Sequence, residues 1–403
     1  MIRSLFSRAT GFSSASQNGA IDTTFLRDVS NGGDKGQPGM IAKQIADFVG
    51  GARSSIHISI YDFRLSQELG SQLIDKLIGQ ANAGLEVRIA YDHTKPNTKG
   101  APPENAADAF SFLGGDPAPK GTHQRMLATF RGTKVQTKPI LTIPDGVADT
   151  PVGTEPIEGS HLMHNKYIVR DVNTAQAGVL TGSTNFTDDA WTHQENNIIV
   201  VNSPALAAYY ETDFQELWAS GNIASTGVND SGNVMVGTSD VAVAFAPGEG
   251  PSIDAHLASL VSAARKRIKV CSMVLSSQKI LGALSDAIST AQIDMSQFGG
   301  IYDATQMSNV LRMWQKSGNP AIQTFQAVAK HLVFKRSKPY SPTGLHDFMH
   351  NKILVCDDTV ATGSFNLSSN ATHNAENSLV VQEQAVADSY SDYIDTLVKE
   401  YGK

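Results

Sequence analysis

Two short segments of this sequence carry the same reactive groups in the same order. The first runs His161-Leu-Met-His164-Asn165-Lys166 and on through Tyr-Ile-Val-Arg to Asp171. The second runs Phe348-Met-His350-Asn351-Lys352 and on through Ile-Leu-Val-Cys to Asp357. Six of the nine positions from Met163 to Asp171 recur between Met349 and Asp357. Each segment is followed by a Gly-Ser pair and an asparagine, Gly182-Ser183-Thr-Asn185 and Gly363-Ser364-Phe-Asn366. A Glu-Asn pair then begins 13 residues after each glycine, at Glu195-Asn196 and Glu376-Asn377. A lone His-Asn-Lys or Gly-Ser carries no information, but an ordered set present twice in one chain is a duplication.

On a strand, alternate side chains share a face, so His164 projects with Lys166 and His350 with Lys352. Asp171 and Asp357 lie an odd seven residues beyond their histidines and are expected to serve the architecture, facing away or sitting in the next turn. Two imidazoles, two ammonium groups, two serines and two asparagines gathered across a pseudo-two-fold axis suit phosphoryl transfer. Lysine and asparagine donate to the non-bridging oxygens, where charge must be stabilised. One neutral imidazole attacks phosphorus; the other, protonated, gives its proton to the leaving oxygen and then activates the water or alcohol that releases the phosphohistidine. Sequence symmetry leaves open which is which. No metal or cofactor is expected. A lysine cation beside each histidine repels a metal, and no matching set of acids or cysteines completes the His161/His164 and His346/His350 spacings in both halves.

The repeat extends to the elements that must hold these groups. Ala52-Arg-Ser-Ser-Ile56 echoes Ala264-Arg-Lys-Arg-Ile268, and Ala90-Tyr91-Asp92 echoes Ile301-Tyr302-Asp303. Helix-like spacing over 38–50 and 251–264 precedes β-branched runs at 56–61 and 268–274, followed by helical stretches 66–82 and 278–291. The His-x-Lys segments, 178–181 with 359–362, and 197–201 with 378–381 read as strands, and helices over 204–218 and 384–400 close each copy. This alternation predicts an α/β fold of two pseudo-symmetric α/β/α halves, each a mixed sheet flanked by helices, packed with the active site at their interface. The halves are placed at 23–218 and 239–403, behind a flexible tail 1–22 and joined by a Gly-, Ser- and Asn-rich linker 219–238.

With His-x-Lys-x4-Asp and Gly-Ser-x-Asn both present twice, the sequence resembles the phospholipase D superfamily over roughly residues 23–400. The resemblance implies a metal-independent phosphodiesterase working through a phosphohistidine, with His164 as nucleophile and His350 as acid and base. It implies that Lys166, Lys352, Asn185 and Asn366 hold the phosphate, with Ser183 and Ser364 nearby. Glu195 and Glu376 would then orient the imidazoles and fix their tautomers. One departure is visible. Ten residues separate Asp171 from Gly182 but only five separate Asp357 from Gly363, which predicts a longer hairpin within 172–178.

Charged residues make up 18% of the chain, hydrophobic residues 41%, and the net charge is −7. These values exclude a chain disordered throughout and a surface basic all over. The average conceals two acid-free segments. Pro117–Pro144 holds Lys120, Arg125, Arg131, Lys134 and Lys138, and Ala304–His346 holds Arg312, Lys316, Lys330, Lys335, Arg336 and Lys338; together they carry +11 and leave −18 for the remainder. Each leads to a His-x-Lys strand and is expected to border the cleft. Apolar residues among the cations, from Met126, Leu127 and Phe130 to Met313, Trp314, Phe334 and Tyr340, suit lipid chains at a membrane surface or the bases of a single strand.

The acidic whole favours phospholipid headgroup phosphodiesters, hydrolysed or transferred to alcohols, with peripheral membrane contact. The alternatives are an endonuclease or other nucleic-acid phosphodiesterase, and an inactive anion- or membrane-binding protein. Cys271 and Cys356 read as buried thiols. No apolar run is long enough to span a membrane, and Arg3 and Arg8 interrupt what would be the apolar core of a secretory signal. A cytoplasmic or peripheral membrane location is expected, with organelle targeting as the alternative.

Overall fold

The computed structural model describes residues 13–15, 19–92, 120–140, 161–224, 226–339 and 345–403. Each half is built on an eight-stranded mixed sheet. The first contains β1 (Ser13–Ala15), β2 (Ile21–Leu26), β3 (Ser55–Ile60), β5 (Glu86–Asp92), β6 (Gln136–Ile140), β7 (Lys166–Arg170), β8 (Gly178–Gly182) and β10 (Asn196–Val201). Their order is β1-β2-β10-β8-β7-β3-β5-β6, while β4 (Phe63–Arg64) and β9 (Phe186–Thr187) pair separately. The second contains β11 (Gly232–Val236), β12 (Ser239–Ala246), β13 (Ile268–Ser272), β14 (Phe298–Asp303), β15 (Val333–Lys335), β16 (Lys352–Cys356), β17 (Thr359–Gly363) and β18 (Glu376–Gln382). Its order, β11-β12-β18-β17-β16-β13-β14-β15, repeats the first strand for strand. The pairs β3–β5, β5–β6, β13–β14 and β14–β15 are parallel, and the other pairs in both sheets are antiparallel.

The central strands are apolar and buried along their length, as β3 (Ser-Ile-His-Ile-Ser-Ile) and β16 (Lys-Ile-Leu-Val-Cys) show, because both sheet faces are covered. Helices Gln37–Gly50 and Gln67–Asn82 cover the outer face of the first sheet around Ile45, Leu73 and Leu77. Helices Gly250–Ala263 and Gln278–Ser289 do the same for the second around Leu257, Leu281 and Leu284. Ser66 and Ser277 cap their helices by accepting the N–H groups of Leu69 and Ile280. Between the sheets, helices Pro204–Ser220 and Gln384–Tyr401 contribute Tyr210, Phe214, Tyr390 and Tyr393 to one core shared by both halves. That shared core fixes one half against the other.

Two boundaries differ from expectation. β2 begins at Ile21 and β1 lies earlier still, at Ser13–Ala15, so the sheet reaches into the stretch expected to be a tail. The Gly-Asn-Val-Met-Val run within the expected linker is β11, the edge strand on β12, because an alternating pattern beside an open edge pairs with it. Cys271 and Cys356 are buried free thiols.

The aspartates that end the motifs sit in turns. Asp171 follows β7 at φ +56°, and its Oδ1 accepts the N–H groups of Arg53 (2.6 Å) and Ser54 (2.7 Å) and the Ser54 hydroxyl (3.1 Å). Asp357, at φ +55°, accepts the N–H groups of Arg265, Lys266 and Arg267. Each carboxylate thus ties the end of a motif strand to the loop that feeds β3 or β13. The longer connection in the first half is Asp171–Ala177, where the second half turns on Asp357 and Asp358 alone. Asp171→Ala leaves these donors unsatisfied and is expected to cost about 2–4 kcal/mol of unfolding free energy in urea titrations. Asp171→Asn keeps an acceptor and tolerates the left-handed backbone, so it should recover most of that loss.

Candidate active site

The N-terminal ends of β7 and β16 meet at the pseudo-two-fold axis, and each histidine is pinned by the backbone of the opposite half. His164 N–H donates to Ala375 O (2.8 Å) and Ala375 N–H to Leu162 O (2.8 Å). His350 N–H donates to Glu195 O (3.1 Å) and Glu195 N–H to Phe348 O (3.3 Å). Asp92 and Asp303, at the ends of β5 and β14, accept the N–H groups of Met163 (2.8 Å) and Met349 (3.0 Å), one residue ahead of each histidine. The repeated Tyr-Asp ends noted in the sequence therefore have a positioning duty that sequence alone did not suggest. Lys166 Nζ donates to His164 O (2.7 Å), and Lys352 Nζ to His350 O. All four side chains are buried.

The Gly-Ser loops have a steric reason. Gly182 and Gly363 adopt φ +141° and +127°, and a Cβ there would lie 2.2 Å from Asn197 O and 2.4 Å from Asn377 O. Glycine lets the following N–H groups, of Ser183 and Ser364, reach those same carbonyls at 3.1 and 3.0 Å. The Ser364 backbone draws the pKa of His164 upward and the Ser183 backbone does the same for His350, so each loop acts on the other half's histidine. Asn185 and Asn366 follow on these loops, each with a buried side-chain Oδ1 that has no hydrogen-bond partner. Tyr61, which sequence reasoning missed, packs its ring against His164 (4.8 Å between centroids) and under Lys166 Nζ (5.1 Å).

The ring partners break the symmetry. His164 Nδ1 lies 2.8 Å from Glu376 Oε2, whereas His350 Nδ1 lies 3.0 Å from Asn196 Oδ1. Glu195, expected to orient an imidazole, does not do so: its carboxylate takes Lys335 Nζ (2.8 Å) and the Tyr401 hydroxyl. Lys335 also bonds Asp28 (3.3 Å) and His193 O (3.2 Å).

The expected match of Glu195-Asn196 with Glu376-Asn377 is one residue out of register. Gly182 faces Ile198 across β8–β10, but Gly363 faces Ser378 across β17–β18. Asn196 therefore corresponds to Glu376, and Glu195 to Ala375. Asn197 and Asn377 are the true equivalents: Asn197 Oδ1 accepts from Thr362 and Tyr390, while Asn377 Nδ2 donates to Thr181 and Tyr210. The extra residue is absorbed where the first half forms a helix, Asp188–Thr192, and the second a 3-10 turn, Ser369–His373. The matching Thr-His dipeptides at 192–193 and 372–373 were the sequence signal for this register.

Burial and the paired lysines push both imidazoles well below their ordinary pKa. Burial lowers Lys166 to about 7 against the pull of Glu376, Asp62 and Asp92, and burial with Lys166 lowers Lys352. Burial also lifts Glu376 to about 8, although Lys166 and Lys352 draw it down. Among the described residues no group of three or more His, Cys, Asp or Glu is arranged to hold a metal.

The two acid-free segments supply fewer surface cations than their sequences suggested. Arg125 is buried and donates to Leu65 O (2.7 Å), Lys138 bonds Trp218 O, and Lys335 belongs to the buried cluster with Glu195. Arg131, Lys134, Arg312, Lys316, Lys330, Arg336 and Lys338 remain exposed. Of the apolar residues among them, Met126, Phe130, Phe325 and Leu332 are core, and Met313 and Phe334 are exposed. Tyr340 lies outside the described residues.

Two like mixed sheets that bring paired His-x-Lys strands and Gly-Ser loops to one axis define a phospholipase D-like α/β fold. A family model described as "Cardiolipin synthase, PLD-like domain" matches residues 45–218 and 257–398, and the chain belongs to this family of the phospholipase D superfamily. Among solved structures it is similar to the phosphatidylserine synthase of Haemophilus influenzae Rd KW20, at 12% identity and a TM-score of 0.60, over 96% of this chain and 88% of that one. It also matches the phospholipase D family member Nuc from Salmonella typhimurium, at 20% identity and a TM-score of 0.30, over 39% of this chain and 93% of that one. NucT from Helicobacter pylori matches at 19% identity and a TM-score of 0.32, over 40% and 97%. No curated protein sequence matches the chain.

Proposed function

We propose that the protein is a metal-independent phosphodiesterase acting on phospholipid headgroup phosphodiesters, by hydrolysis or by phosphatidyl transfer to an alcohol, through a phosphohistidine on His164. The observation that carries this reading is the convergence of both histidines and both lysines in one buried site, with a carboxylate behind His164. Nε2 of His164 attacks phosphorus while the leaving oxygen takes a proton from Nε2 of His350. His350, now neutral, removes a proton from water or an alcohol, whose oxygen displaces the phosphoryl group from His164. Lys166, Lys352, Asn185 and Asn366 hold the phosphate oxygens, with Ser183 and Ser364 fixing the loops. Family descriptions that name cardiolipin synthase and, for the similar fold, phosphatidylserine synthase favour lipid over nucleic acid. No helix among the described residues is long and apolar enough to cross a membrane; peripheral contact with the lipid surface is part of this proposal.

The test is a side-by-side assay in EDTA on phospholipid vesicles and on plasmid and single-stranded DNA. Release of headgroup alcohol from vesicles, unaffected by EDTA, is the expected result. DNA cleavage with steep salt inhibition and no headgroup release would replace this reading with an endonuclease. Lack of turnover even of bis(p-nitrophenyl) phosphate would leave only an anion-binding protein.

A second expectation concerns charge. Lys166, Lys352 and both imidazoles are displaced towards their uncharged forms by burial and by one another, and a bound anion reverses that displacement. Inorganic phosphate binding at pH 8 should therefore take up protons, seen as a dependence of the calorimetric heat on the buffer's ionisation enthalpy. A heat independent of buffer would contradict it.

A further inference from the structure

The two imidazoles stand in matching frames but have unlike partners. Behind His164 is the carboxylate of Glu376; behind His350, at the matching place, is the amide of Asn196. That amide is itself oriented. Its Nδ2 donates to Ala190 O (3.1 Å) and Gln194 Oε1 (3.3 Å), and its Oδ1 also accepts the Ser183 hydroxyl (2.7 Å). Oδ1 therefore faces His350 as an acceptor, which assigns the proton to Nδ1 and turns Nε2 to the site.

The carboxylate that precedes Asn196 in the chain, Glu195, is engaged by Lys335 and Tyr401, with Asp28 beside them. Among the described residues this cluster exists once. By strand register the positions matching Glu195, Asp28 and Lys335 are Ala375, Gly248 and Ile140. The charged or titratable groups that act most strongly on His350 are Lys352 from its own strand and Lys166 and His164 from the facing half, and all three lower its pKa.

We infer that Asn196 is a positioning residue that keeps His350 a weakly held proton donor and so sets the pH at which the enzyme loses its acid, while Glu376 reserves the cation-stabilising place for His164. This rests on the phosphodiesterase reading above. An N-phosphorylated imidazole is cationic, and a carboxylate on its Nδ1–H stabilises it. A proton donor to an alkoxide has the opposite need. An amide dipole supports the imidazolium far less than a carboxylate does, so its proton leaves more readily. In the first step the Nε2–H bond of His350 breaks as the leaving oxygen gains the proton, and the P–O bond breaks as the P–Nε2 bond to His164 forms. In the second step water reverses both transfers.

Asn196→Asp is nearly isosteric and places a carboxylate behind His350. Histidine-selective NMR in the presence of inorganic phosphate should show the His350 titration moving up by about one unit or more. The alkaline limb of kcat for headgroup release should move up with it. Should that variant fail to fold, Asn196→Ala is expected to move the His350 titration down and lower kcat about 10-fold or more with little change in KM. An unmoved His350 titration in either variant overturns the inference. Wild-type protein inactive on every phosphodiester would instead overturn the functional reading, and the NMR shift would still decide the role of Asn196.

Discussion

Lys166→Met should inactivate the protein and stabilise it at once. Lys166 is 2% exposed, its ammonium bonded to the carbonyl of His164 and lying over the Tyr61 ring, and its pKa falls from 10.5 to about 7. The unfolded chain keeps the ordinary value, so between about 7 and 10.5 it binds more protons than the folded one. Stability then rises with pH through that window, and the deficit from burying the cation persists in full below it. Methionine fills nearly the same volume without the charge, so the variant should unfold at higher denaturant at pH 7 and lose this pH dependence. Turnover should fall on the order of 10²–10³-fold, because one donor to the phosphate oxygens is gone. A variant less stable than wild type at pH 7 would mean that the ammonium is a structural asset.

His164→Ala is expected to lower phosphodiester turnover on the order of 10⁴-fold or more, since it removes the atom to which phosphorus transfers. His350 cannot take over: its ring is held by an amide, and its own Nε2 is needed as the acid. The fold should survive, because the carboxylate that loses its ring partner keeps the Asn374 amide at 3.0 Å and the attraction of two lysines. Phosphate binding should weaken only a few-fold, because both lysines remain. A variant that binds phosphate and retains a tenth of the wild-type rate would remove His164 from the nucleophile's place.

Much of the fold was legible because duplication tests itself. The helices expected over 38–50 and 251–264 form at Gln37–Gly50 and Gly250–Ala263, and the Val- and Ile-rich runs behind each lysine form the strands β7 and β16. Edge strands were not legible. β1 and β11 are three and five residues long, and their pairing depends on the open edges that β2 and β12 offer. The site was legible wherever a residue type is forced by local geometry. The glycines of the Gly-Ser pairs and the turn aspartates at positive φ are examples. What failed was the register of Glu195 and Glu376, because counting from a glycine assumes equal loops and one loop holds an extra residue. Asn196 was invisible for the same reason, and Tyr61 because a tyrosine ending a strand reads as core. Arg125 and Lys335 looked like cleft cations, since charge along a sequence does not reveal that a guanidinium or ammonium is buried on a partner.

The central claim is a covalent phosphoryl intermediate on one histidine of a symmetric pair. Rapid quench of wild-type protein with a phosphodiester labelled in its retained phosphoryl group tests it most directly. Alkali should preserve a label bound to protein and acid should release it, as for a phosphoramidate, and peptide mapping should place it on His164, with none in His164→Ala. Label on His350, or turnover with inversion at phosphorus and no labelled protein at any quench time, would contradict the account.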